Sequence, residues 1–134
     1  EGPWRERAAL VREQGLHPIA MTAAGRWFTA DFVSSHPDTI SKMQQDLAAG
    51  SAEGYASCCE ALAVADVRAQ LGEIQIPLLL IAGTEDPVTT VADGEFMQVA
   101  VAGSKLYAIP ASHISNIEAP EAFNQALGEF LEAL

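Results

Sequence analysis

A chain of 134 residues, 49% hydrophobic and 19% charged, is one domain's worth of protein at most, with ample material for a buried core. That balance excludes a disordered chain. Its 18 acidic residues against 7 basic ones leave a net charge of −11, which argues against nucleic acid or an anionic membrane surface as partner. An anionic substrate would need a local basic group to receive it.

The two cysteines, Cys58 and Cys59, are adjacent, and neighbours of this kind rarely bridge each other because the ring is strained. No disulfide framework or zinc spacing is present, so neither metal nor redox staple is expected, in keeping with a cytoplasmic setting. No apolar run approaches a membrane span. The polar start Glu1-Gly2-Pro3-Trp4-Arg5 is not a signal peptide, and the lack of an initiator Met suggests processing or a longer parent.

The first seventy residues predict helices only. Trp4, Ala8 and Val11 recur at helical spacing, and Gly15 suits a C-terminal cap. Short apolar clusters follow over 17–33, around Trp27 and Phe28. His36-Pro37-Asp38 opens another helix, with Pro37 in the first turn, Asp38 complementing the dipole and Gly50 at its end. Its apolar face is Ile40, Met43 and Leu47. A further helix is expected over 52–65 and a short helical turn over 66–71.

Near residue 72 the character changes. Pro77-Leu78-Leu79-Leu80-Ile81-Ala82-Gly83 is a continuous apolar run between breakers, as expected of a parallel strand buried on both faces. A helix is expected over 91–101, then a second strand at Lys105-Leu106-Tyr107-Ala108-Ile109-Pro110. The last helix begins at Pro120, with Phe123, Leu127, Phe130, Leu131 and Leu134 as its core stripe. The pattern is α/β with a crossover helix. Two strands leave edges and faces uncovered, so the rest of the sheet is expected elsewhere, in a longer parent or another chain.

Ligands of open α/β sheets bind beyond the C-terminal ends of the strands. Asp86 follows the first strand in Gly83-Thr84-Glu85-Asp86-Pro87, and His113 follows the second in Pro110-Ala111-Ser112-His113. Side by side, the carboxylate would accept the imidazole Nδ1–H, fix the tautomer and leave the other ring nitrogen to take a proton from a nucleophile. Either residue alone reads more readily as a loop cap or a surface group. Together, in the order acid then histidine, they point to catalysis.

The segment Leu78-Leu79-Leu80-Ile81-Ala82-Gly83-Thr84-Glu85-Asp86 resembles the acid-bearing strand of the α/β-hydrolases. Ala111-Ser112-His113-Ile114-Ser115-Asn116-Ile117-Glu118 is similar to the histidine loop of one subgroup, the 3-oxoadipate enol-lactonases. Arg26-Trp27-Phe28-Thr29 and Gly54-Tyr55-Ala56-Ser57-Cys58-Cys59-Glu60-Ala61 agree with that subgroup too, so the resemblance spans nearly the whole chain. It implies the C-terminal portion of an α/β-hydrolase fold, with a helical cap over 1–71 and the last two strands and helices of the core over 72–134. It implies hydrolysis of an enol-lactone ester in aromatic catabolism, with Asp86 and His113 as triad acid and base and with no metal or organic cofactor. Arg26 beside Trp27 is a candidate anchor for the substrate carboxylate, weighed equally against a surface ion pair and a packed indole.

One departure dominates. The family's nucleophile sits in Gly-x-Ser-x-Gly, and no such motif occurs in this sequence. Ser51 and Ser104 follow single glycines without the rest of the pattern. Cys58 and Cys59 read as packing residues rather than nucleophiles. The expected partners are therefore a small lactone or ester and a missing N-terminal half that carries the serine. Other α/β-hydrolase activities, such as carboxylester or carbon–carbon bond hydrolysis, are the alternatives, as is a non-catalytic module that self-associates through its helical faces. His17 and His36 are expected in loops or at helix ends without function, and Ser115 and Asn116 as shapers of the histidine loop. Pro87-Val88-Thr89-Thr90 stands where hydrolases often carry a Thr-Pro-Pro run, a difference expected to affect only the helix start.

Overall fold

The computed structural model describes residues 2–134. In chain order the elements are helices α1 (Gly2–Gln14), α2 (His17–Trp27), α3 (Ala30–Ser35), α4 (Pro37–Ala48) and α5 (Ala52–Val64), then a 3₁₀ turn (Arg68–Glu73). Strand β1 (Leu79–Gly83), helix α6 (Val91–Ala100), strand β2 (Lys105–Ile109), the short α7 (Ser115–Glu118) and α8 (Pro120–Glu132) complete the chain. The segment 17–33, which shows only apolar clusters in the sequence, is thus largely helical.

The chain divides into two compact units. The first runs to Ala24 and resumes from Val33 to Asp66; the second takes Gly25–Phe32 and Val67–Leu134. This division differs from a cut at 71/72, because Gly25–Phe32 and the 3₁₀ turn group with the strands.

In the first unit, small side chains decide the packing. Ala8 on α1 meets Ala56 and Cys59 on α5, all buried, with Trp4 and Tyr55 flanking them. Residues this small let two helix backbones approach closely. Val11, Leu16 and Ile19 form a second buried cluster that Leu47 and Tyr55 cover. Gly15 ends α1 with φ +75°, the left-handed conformation that glycine adopts without strain. On the outer side, Arg12 donates to both Glu53 and Glu60, at 2.7 and 2.5 Å, and so joins α1 to α5.

In the second unit, β1 and β2 pair in parallel from Leu79↔Lys105 to Gly83↔Ile109. Helix α6 connects them and packs on both, while α8 also packs on both strands. Thr90 caps α6 by accepting from the Asp93 N–H, and the Asp93 carboxylate accepts from the Thr90 N–H in return. Burial along β1 rises toward its C-terminal end: Leu79, Leu80 and Ile81 are half-buried, Ala82 and Gly83 buried. The expectation of burial on both faces therefore holds only at that end. The expected core stripe of α8 needs a larger correction. Only Ala126 is buried, Phe123 and Phe130 are half-buried, and Leu131 and Leu134 are 57% and 71% exposed. Helical periodicity reports that a face is apolar; it does not report that a partner for it lies among the described residues.

The glycine at the end of β1 is a tight point. A Cβ on Gly83 would stand 2.4 Å from the carbonyl oxygens of both Ala111 and Ser112, and backbone atoms yield little. A Cβ on Gly94 of α6 would instead meet the Leu106 Cδ1 at 2.9 Å, the tip of a flexible side chain. Gly83→Ala is expected to destabilise by at least about 1–3 kcal/mol, as overpacking does. Gly94→Ala should cost much less, because alanine regains about 1 kcal/mol of helix propensity. Urea denaturation midpoints of the two variants check this order; equal midpoints would refute it.

Candidate active site

The β1–β2 pairing continues as loop hydrogen bonds beyond the strands. The Thr84 N–H donates to the Ile109 carbonyl at 2.9 Å and the Glu85 N–H to the Ala111 carbonyl at 3.0 Å. Because the strands are parallel, both loops leave from the same end. One more residue on the first side and two on the second bring Asp86 to His113, whose Nδ1 lies 2.9 Å from Asp86 Oδ2.

Asp86 is fully engaged. Its Oδ1 accepts from the N–H of Val88 at 2.7 Å and of Thr89 at 3.2 Å. Its Oδ2 accepts from the Thr89 hydroxyl at 2.8 Å as well as from His113. The side chain is only 4% exposed, whereas that of His113 is 27% exposed. Burial works against the ionised carboxylate, yet the hydrogen bonds from His113, Val88 and Thr89 outweigh it and hold the Asp86 pKa below its ordinary value. The carboxylate is thus a pure acceptor, which makes Nδ1 the protonated ring nitrogen and leaves Nε2 with its lone pair. Such a ring can accept a proton and pass it on. The Val88-Thr89 segment does more than start a helix, against the expectation from sequence: it supplies three donors to Asp86.

The loop around His113 is tied down on both sides. The Ser112 N–H donates to Glu118 Oε2 at 2.8 Å, and the Ile114 N–H donates to the Trp27 carbonyl at 3.0 Å. Glu118 Oε1 in turn accepts from the Thr29 N–H at 3.1 Å and from the Thr29 hydroxyl. Sequence reasoning gave Glu118 no role. Its five-residue spacing from His113 was visible, but its partner Thr29 lies too far along the chain to be found that way.

Of the other candidates, Trp27 reaches the histidine loop through its backbone carbonyl, and its ring is half-buried. Arg26, half-buried in the last turn of α2, has an interaction partner of its own. Ser51 caps α5 by accepting from the Gly54 N–H, and the Ser104 hydroxyl donates to the Val101 carbonyl after α6. Both hydroxyls are engaged at helix ends. Cys58 and Cys59 are free thiols on α5; burial pushes the Cys59 pKa up, away from a reactive thiolate. Ser115 is buried in the first position of α7, and Asn116 is exposed. His36 lies 2.9 Å from the Ser35 hydroxyl, and His17 opens α2. Among the described residues no cluster of three or more His, Cys, Asp or Glu side chains could hold a metal ion, and no helix is long and apolar enough to cross a membrane.

A parallel β–α–β unit with an acid after its first strand, bonded to a histidine after its second, is part of an α/β-hydrolase fold. No family model matches the chain, but individual relatives do. The chain is 62% identical over 92% of its length to 3-oxoadipate enol-lactonase 2 of Acinetobacter baylyi, and 44% identical over its whole length to 3-oxoadipate enol-lactonase 1 of the same organism. The crystal structure of the enol-lactonase from Burkholderia xenovorans superposes over 96% of the chain with a TM-score of 0.93 at 39% identity. The chain is thus a homologue of the 3-oxoadipate enol-lactonases. It spans about half the length of these relatives: 46% and 50% of the two Acinetobacter proteins and 50% of the Burkholderia structure.

The depressed Asp86 pKa has a consequence for stability. A carboxylate of this kind contributes stability that is present above the unfolded-state pKa, about 3.9, and is lost as pH falls through the lower folded-state value. Asp86→Asn should therefore remove part of the acid-induced loss of stability below about pH 4. At neutral pH it should cost about 1–3 kcal/mol, because buried donors lose a charged acceptor. Urea titrations of both proteins from pH 7 to pH 3 measure the two effects; parallel curves would refute the linkage.

Proposed function

We propose that this chain supplies the acid and base of a serine-type lactone hydrolase acting on 3-oxoadipate enol-lactone or a closely similar enol-lactone. The observation that carries the proposal is the 2.9 Å bond between Asp86 and His113 at the ends of adjacent parallel strands. The substrate is taken from the named activity of the relatives at 62% and 44% identity.

In this reading the nucleophile comes from a Gly-x-Ser-x-Gly segment outside the present sequence, in a longer parent or a second polypeptide. Its hydroxyl attacks the lactone carbonyl while His113 Nε2 takes the proton. The ring carbon–oxygen bond breaks, the enol oxygen takes that proton, and the opened chain, with its enol still attached and free to tautomerise to the ketone, stays on the serine as the acyl group. Water, deprotonated by the same nitrogen, then releases 3-oxoadipate and restores the hydroxyl. Asp86 holds the tautomer and stabilises the imidazolium in both halves of the cycle. Backbone N–H groups that travel with the nucleophile hold the developing oxyanion. Arg26 with Trp27 receives the substrate carboxylate, the local cation that a chain of net charge −11 requires. The reaction needs no metal or organic cofactor and belongs in the cytoplasm. Hydrolysis of an ordinary carboxylic ester is the second reading, because the same acid–base pair serves any acyl transfer to serine.

The test is reconstitution. The chain alone should not hydrolyse enol-lactone at an enzymatic rate. Joined to, or mixed with, a nucleophile-bearing half, it should do so, and His113→Ala should lower kcat by about 10²–10⁴-fold. Enzymatic turnover by the chain alone, lost on His113→Ala, would overturn the division of labour. Turnover of simple esters but not of enol-lactone would favour the second reading.

A further inference from the structure

We infer that Glu118 is a positioning residue for His113, fixing the imidazole by holding the backbone on either side of it. The inference deepens the acid–base reading and rests on it.

His113 sits between two anchored amides. The Ser112 N–H before it donates to Glu118 Oε2 at 2.8 Å, and the Ile114 N–H after it donates to the Trp27 carbonyl at 3.0 Å. These anchors belong to one network. Both Glu118 Oε1 bonds come from Thr29, two residues beyond Trp27, through its N–H at 3.1 Å and its hydroxyl. The Thr29 hydroxyl also accepts from the Phe32 N–H at 3.3 Å, and the Phe28 and Phe32 rings stack with centroids 5.0 Å apart. The segment that carries the Trp27 carbonyl is therefore held by its own contacts, and one carboxylate ties it to the histidine loop.

Local structure explains why Glu118 reaches back. In the single turn of α7 the Ile117 and Glu118 N–H groups both donate to the Ile114 carbonyl, and the Glu118 carboxylate accepts from the Ser112 N–H. Ser112, buried at 2% exposure, has its N–H away from water, so the donor needs a protein acceptor. A carboxylate with two acceptor oxygens can satisfy the Ser112 and Thr29 donors at once. A glutamine cannot, because its amide nitrogen donates where an acceptor is needed. Asp86 fixes one point of the ring, and without a fixed backbone that one bond leaves the ring free to swing about it.

Nuclear magnetic resonance of the 134-residue chain tests this without any need for turnover. His17 and His36 serve as internal controls. In the wild type, His113 should show a protected Nδ1–H proton and a single tautomer. In Glu118→Gln that proton should exchange with water about tenfold faster or more, the loss expected for a charge-assisted hydrogen bond, and the tautomer should become mixed. The His17 and His36 signals should stay in place. Thr29→Val, which removes only the hydroxyl, should move His113 in the same direction by less, and it carries the test if Glu118→Gln fails to fold. His113 signals unchanged in the folded Glu118→Gln variant, or in Thr29→Val where only that variant folds, overturn the inference. Asp86→Asn separates the two levels: if it leaves His113 unchanged, the acid–base pair itself fails, whatever Glu118 does.

Discussion

The meeting of Asp86 and His113 depends on two parallel strands ending at the same place. Antiparallel neighbours would send their following loops to opposite ends, and Asp86 and His113 could not meet. Parallel pairing alone is not enough, because a slip of register would displace one loop along the other. The bonds from Thr84 to Ile109 and from Glu85 to Ala111 carry the register past the strands and into the loops. Gly83 then admits the backbone of the second loop where any side chain would exclude it. The pair follows from this path, since each residue lies within three positions of the last controlled contact.

Around that path the chain spends its polar groups in a definite way. Asp86 is surrounded by donors and stays ionised despite burial. Glu118 does a different task with the same functional group, accepting from backbone and hydroxyl donors to join segments remote in sequence. In the first unit, Arg12 joins two exposed glutamates across the α1–α5 pair. Pairs so exposed to solvent add little to stability, and the small-residue contact of Ala8, Ala56 and Cys59 does most of the holding.

Much of this is legible in the sequence. The apolar run ending at Gly83 and the shorter one ending at Pro110 mark the two strands, because each is bounded by breakers. Asp86 and His113 stand out because each follows a strand at a similar distance. What periodicity cannot supply is the identity of whatever covers an apolar face, so Leu131 and Leu134 read as core and are exposed. Nor can it foresee long-range backbone bonds. Thr29 with Glu118, and Trp27 acting through its carbonyl rather than its ring, depend on how loops fold together. Val88 and Thr89 were hidden for another reason: their role is to donate N–H groups that every residue but proline has, and only their placement beside Asp86 makes them special.

The crowding of donors at Asp86 has a dynamic consequence. Four hydrogen bonds from three residues occupy its two oxygens, so rotation of the carboxylate about its last bond would break several at once. The direction offered to the imidazole is therefore set when the chain folds and stays the same whether or not a reactant is near. In the acid–base role proposed for His113, a proton acceptor built in this way would need little rearrangement of its surroundings when charge arrives on the ring. In solvent, water dipoles would have to reorient around a new imidazolium; beside Asp86, the dipoles are already turned.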